Sequence, residues 1–133
     1  MKKIITAICL LACWAGQAQT KDYVGKWELC KIVTVKGDTE LIKSTDPRYL
    51  TYNFEFNNTF TSYSNEKKEE ATGRWGYDFA SKTIKFKNPV YTKTKEKIGD
   101  YTLVVQQVNP VNLVEVREEK KKQYSYRIYC RVK

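Results

Sequence analysis

The hydrophobic residues of this chain recur at alternate positions in short runs, and no window holds the 3.6-residue apolar period of an amphipathic helix. That property confines the fold to the all-β class. The runs span 27–35, 39–43, 50–56, 59–64, 73–79, 83–87, 101–108, 113–117 and 124–132. Between them stand Lys36-Gly37-Asp38, Ser44-Thr45-Asp46-Pro47, Asn57-Asn58, Ala80-Ser81, Asn88-Pro89 and Asn109-Pro110-Val111-Asn112, residue types that turn a backbone. Eight or nine short strands in 133 residues imply an antiparallel barrel or a sandwich. The connection from Asn88 to Gly99 is long, with room for a short strand at 90–92.

Two strands open alike, with Gly25-Lys26-Trp27 and Gly73-Arg74-Trp75. Three tryptophans and six glycines would place Gly-x-Trp in such a chain about 0.14 times by chance, so the repeat marks two strand bases.

Met1-Lys2-Lys3, an apolar stretch over 4–14 and the small residues Gly16 and Ala18 form the pattern of a secretory signal peptide, with cleavage expected after Ala18. Its apolar core falls short of the roughly 20 residues that span a bilayer, and no transmembrane segment is expected later in the chain. Leu10-Leu11-Ala12-Cys13 offers a competing outcome. It is similar to the bacterial lipobox, and a lipidated Cys13 would anchor the protein to the outer membrane instead of leaving it secreted or periplasmic. Cleavage after Ala18 leaves residues 19–133, enough for one domain and too few for two.

The net charge of +9 includes Lys2 and Lys3 of the leader. What remains is mixed in sign: Lys67-Lys68-Glu69-Glu70, Lys93-Thr94-Lys95-Glu96-Lys97 and Glu118-Glu119-Lys120-Lys121-Lys122 are expected at solvated loop tips, with contact to an anionic surface as the other reading. Cys9 and Cys13 lie in the leader, so Cys30 and Cys130 are left as a pair in an oxidising compartment and are expected to form a disulfide.

The absence of histidine removes the commonest general base, the usual zinc ligand and the Ser-His-Asp triad together. No glycine-rich phosphate loop, Cys-x-x-Cys or calcium loop occurs, so no cofactor or metal is expected. Glu69-Glu70 and Glu118-Glu119 are adjacent and would face opposite ways in a strand. Asp78 and Glu115 are single acids within strands, either of which could line a cavity. These features point away from an enzyme, and export points away from nucleic acid.

Gly25-Lys26-Trp27, the hairpin Phe54-x-Phe56-Asn57-Asn58-Thr59-Phe60, Gly73-Arg74-Trp75 and the closing Tyr-x-Tyr-Arg-x-Tyr-x-Arg together resemble the lipocalin-like proteins secreted by Bacteroidetes bacteria. The resemblance covers essentially the whole mature chain. It implies an up-and-down calycin barrel with a cup-like interior that holds a small apolar molecule in some relatives, and a ligand here that is small and apolar or amphipathic. In such a barrel the first and last strands are antiparallel neighbours, and a Cys30–Cys130 bond then predicts Leu29 opposite Arg131, with Trp27 one diagonal step away. Trp27 facing the barrel floor would turn Arg131 inward beneath the indole, the pairing typical of lipocalins; the alternative is a solvated terminal arginine. Unless a bulge resets the alternation, the same register turns Lys31 inward. Gly25, Trp27 and Arg131 are thus structural candidates.

The expected lining comprises Tyr52, Phe54, Phe56, Phe60, Trp75, Tyr77, Ile84, Phe86, Leu103 and Val105. In a barrel this small, such side chains either leave a pocket or fill the interior. The first outcome implies a ligand carrier, the second a surface module for a protein or glycan partner.

Overall fold

The computed structural model describes residues 21–133. Nine antiparallel strands follow in chain order: β1 (Gly25–Val33), β2 (Thr39–Leu41), β3 (Leu50–Phe54), β4 (Thr59–Ser64), β5 (Glu69–Asp78), β6 (Thr83–Tyr91), β7 (Tyr101–Val108), β8 (Asn112–Lys120) and β9 (Gln123–Arg131). Each from β3 to β8 pairs with the next, and β1 pairs with both β3 and β9, closing eight strands into a barrel. The short β2 is the extra strand, paired to β1 over Lys31, Ile32 and Val33. The leader and the cleavage position expected after Ala18 lie outside the described residues.

The two chain ends run side by side, and Cys30 and Cys130 are joined by a disulfide with a Cα–Cα distance of 5.8 Å. Their register differs from the sequence expectation. Trp27 stands directly opposite Arg131, Glu28 opposite Cys130 and Leu29 opposite Tyr129, whereas Lys31 stands opposite Ile128. Cys30 is therefore the extra residue of a β-bulge, which a register read from the disulfide alone does not contain. The bulge also resolves a conflict in the alternation: Trp27, Leu29 and Ile32 are buried, and Lys31 is exposed.

A second bulge alters β6. Thr72 pairs with Val90 and Arg74 with Lys87, so β6 runs on through Asn88 and Pro89 where the sequence suggested that the strand ends. Asn88 takes a φ of 53°, and Pro89 is fully buried. Gly73 faces this bulge; a Cβ there would press on the Lys87 carbonyl, the Phe60 ring and Pro89 at 3.0 Å, so close packing accounts for the second Gly-x-Trp glycine. At the β3–β4 turn Asn58 has a φ of 66°, the left-handed geometry that asparagine tolerates. Strand β3 stops at Phe54, leaving Phe56 on the turn, 72% exposed and outside the interior.

Candidate functional site

The barrel is closed at the end where β1 begins. Residues 21–24 cross that floor, with Tyr23 buried and its ring 4.7 Å from that of Tyr77. The Trp27 indole donates to the Tyr23 carbonyl at 2.9 Å. Arg131 lies over the indole, its guanidinium carbon 4.1 Å from the ring centre. Each of its three nitrogens donates to a carbonyl, Nε to Pro110 (2.8 Å), Nη1 to Val24 (2.6 Å) and Nη2 to Asp22 (2.9 Å). Gly25, at a φ of 129°, passes so close to the guanidinium that a side chain there would collide with it.

Above the floor the interior is packed with rings. Phe86 stacks on Tyr101 at 4.3 Å, meets Phe60 edge-on at 4.8 Å and lies 5.3 Å from Tyr52; Phe54 lies 4.9 Å from Trp75. Of the expected lining residues, Tyr52, Phe54, Phe60, Trp75, Ile84, Phe86, Leu103 and Val105 are buried together, and Tyr77 packs half-buried against them. Their mutual contact is the close packing of a protein core.

A polar layer sits on these rings. Glu115 is only 4% exposed; it accepts from the Tyr129 hydroxyl at 3.2 Å and from Arg117 Nε at 2.8 Å. The Tyr52 and Tyr101 hydroxyls are 3.4 Å apart. Burial pushes the pKa values of Tyr52, Tyr101 and Tyr129 up, so all three remain neutral donors well into the alkaline range. Burial alone would lower that of Arg117, but the Glu115 carboxylate outweighs it and the net shift is upward. Asp78, the other acid noted in the sequence, instead pairs with Lys85 at 2.9 Å on the outside.

A pocket of about 460 Å³ lies at the end opposite the floor, between the β1–β2 and β8–β9 turns. Ile32, Thr34, Val35, Lys36, Asp38, Glu119, Ser125 and Arg127 line it. Ile32, Arg127 and Glu115 form one cross-strand row. Arg127 thus shares the inward face of β9 with buried Ser125 and Tyr129. Ser125 donates to Glu119 at 2.6 Å, closing the β8–β9 side of the rim. The sequence reading did not include Arg117, Arg127 or Ser125; alternation along β9 from inward Arg131 is the signal that locates Arg127.

A groove of about 690 Å³ lies on the β5–β6 hairpin. Gly76 leaves its floor open, Arg74 supplies positive charge, Lys85 and Lys87 are paired with Asp78 and Asp100, and Phe79 is 62% exposed. Among the described residues no group of His, Cys, Asp and Glu could hold a metal ion, and no helix is long and apolar enough to cross a membrane.

Eight strands closed by β1–β9 pairing around a tryptophan–arginine floor define a lipocalin-like barrel. Among solved structures the chain is similar to a lipocalin-like protein from Bacteroides uniformis, with a TM-score of 0.51 and 18% identity, over 84% of this chain and 99% of that one. At that identity the likeness establishes the fold. No family model matches the sequence, and no curated protein does.

Proposed function

We propose that this protein is an exported, non-catalytic binder of a small amphipathic molecule, held at the barrel mouth and not deep among the aromatic rings. The pocket between Ile32, Val35, Ser125 and Arg127 carries this reading, because it joins apolar side chains to a few fixed polar groups. Its volume of about 460 Å³ falls in the range of small-molecule sites. The packed rings of Phe54, Phe60 and Phe86 fill the barrel interior, which favours the mouth over the interior as the place for a ligand. Export follows from the signal-peptide pattern and suits a disulfide-bonded barrel. With no histidine in the chain, and with the buried Glu115 engaged by Arg117 and Tyr129, binding fits the site better than catalysis.

The test is titration with Nile red, a neutral fluorescent probe, against the natural chain and Val35→Trp, which sets an indole across the pocket. Saturable one-to-one binding that the substitution abolishes supports the mouth site. No saturable binding, or binding indifferent to Val35→Trp, overturns it. Native mass spectrometry of protein from its own host would then identify the cargo.

The β5–β6 groove supports a second reading, a surface module for an acidic glycan. Arg74 and exposed Phe79, which both line the groove, are the observation in its favour, and heparin binding that weakens in Arg74→Ser is the corresponding test.

A further inference from the structure

We propose that the outer wall formed by β1, β7, β8 and β9 is a self-association surface, through which two copies of this chain pair about a two-fold axis. The proposal is independent of the mouth site. An antiparallel sheet packed on one face and solvated on the other alternates apolar inward with polar outward. The wall of β3, β4 and β5 obeys that rule: Thr51, Tyr63 and Glu70 form one outward rung, and Asn53, Thr61 and Thr72 another. Strands β8 and β9 break it. Leu113, Glu115, Ser125 and Tyr129 are buried on the inward face, yet the alternate residues Val114, Val116, Tyr126 and Ile128 are apolar too.

The register gathers these residues into one patch. Val33, Tyr126 and Val116 stand in one rung across β1, β9 and β8, and Ile128 and Val114 in the next. Val104, 45% exposed, continues the first rung onto β7, because its neighbour Val105 pairs with Glu115. None of the six belongs to the cluster of rings inside the barrel or packs against it, so on this face they meet only one another and solvent. With strands about 4.8 Å apart and outward rungs about 6.8 Å apart, four strands and three rungs give a patch of roughly 400 Å². Contiguous apolar patches of that size are commonly sites of interaction.

Charge selects a second copy as the occupant. A chain of net charge +9 repels itself over most of its surface, but this patch carries one cation and one anion. Lys31 flanks it on β1, opposite Ile128, and Glu118 flanks it on β8, opposite Tyr124. Both are exposed, and neither is ion-paired with another described residue. Each stands one strand and one rung from Tyr126, in opposite directions. A two-fold axis lying in the interface at Tyr126, perpendicular to the line joining them, therefore sets Lys31 of each copy against Glu118 of the other. Such an isologous contact forms twice. An apolar centre with charge confined to its rim is the usual anatomy of an interface. The patch is about half of the roughly 800 Å² that each partner contributes to a standard complex, so the pairing is reversible.

The experiment is sedimentation velocity of the full mature chain from micromolar to millimolar concentration, repeated on Tyr126→Lys, Lys31→Glu, Glu118→Lys and the double reversal Lys31→Glu with Glu118→Lys. Circular dichroism melts verify that each variant is folded. A reversible monomer–dimer equilibrium is expected for the natural chain. Tyr126→Lys should raise its dissociation constant at least about tenfold, because two cations then meet at the axis. Each single reversal should raise it about three- to tenfold, since like charges then face each other twice, and the double reversal should restore it. A monomer at every concentration leaves the wall to a different protein and overturns the pairing. A dimer indifferent to Tyr126→Lys overturns the choice of face. One that does not weaken with the single reversals and recover with the double overturns the two-fold arrangement.

Discussion

Two arginines on one strand, four residues apart and on the same inward face, have opposite surroundings. Arg131 is engaged at every nitrogen: it covers Trp27 and donates to three backbone carbonyls that tie residues 21–24 and the β7–β8 turn to the floor. Arg127 has the same shape and charge and engages no described partner, with a pocket in front of it. An arginine that donates from all three of its nitrogens within the protein supports the fold, and one without such partners is available to a ligand. The contrast extends to the two ends of the barrel. A disulfide, an indole and close ring packing lock the lower half, while the upper half carries charge, hydroxyl groups and open volume.

The largest effect expected from breaking this comparison is at the locked end. Replacing both Cys30 and Cys130 with serine frees a sequence separation of 100 residues and should cost about 2–5 kcal/mol, read from the urea midpoint. Next is Arg131→Met, which removes the carbonyl hydrogen bonds and the contact with Trp27 and should cost about 2–3 kcal/mol. Arg127→Met, assayed in parallel, should change stability by no more than about 0.5 kcal/mol. Equal losses from the two would remove the distinction between them.

A third prediction concerns the middle layer. The buried Tyr52, Tyr101 and Tyr129 have pKa values raised above the usual value of about 10, so the folded state holds these protons where the unfolded chain releases them. That stabilisation is complete below about pH 10 and is lost as the pH rises towards the folded values. Tyrosinate absorbance should therefore rise together with loss of near-ultraviolet circular dichroism; independent titration of these rings in the folded protein would contradict their burial. The smallest effect is expected from Phe56→Ser, within about 0.5 kcal/mol, because this ring stands 72% exposed on its turn.

Much of the lower half was legible in the sequence, and the reason is chemical. A tryptophan opening the first strand, an arginine closing the last and a cysteine in each constrain a closed sheet strongly, and alternation places aromatic rings inside. Bulges were not legible. An extra residue at Cys30 looks like any other strand residue, yet it moves Arg131 from opposite Leu29 to opposite Trp27. At Asn88-Pro89 the turn chemistry was real, but the buried proline fits a bulge against Gly73, so β6 continues. Phe56 was misplaced inward because alternation continued past the point where Asn57-Asn58 ends the strand.

The mouth was half legible. Glu115 stood out as a lone acid in a strand, and Arg117 two residues on shares its face, but its contact with Tyr129 depends on the β8–β9 register, which no local pattern encodes. Arg127 follows from the same alternation that turns Arg131 inward. Its lack of a partner is a property of three-dimensional packing alone.

The most direct measurement of the central claim is a map of amide chemical-shift changes on adding decanoate to the isotopically labelled protein. Shifts concentrated at Ile32, Val35, Ser125 and Arg127, with Phe54, Phe60 and Phe86 unmoved, are the result expected of a packed barrel that binds at its mouth. Large shifts at those three phenylalanines with a silent rim would place the ligand in the interior and contradict it.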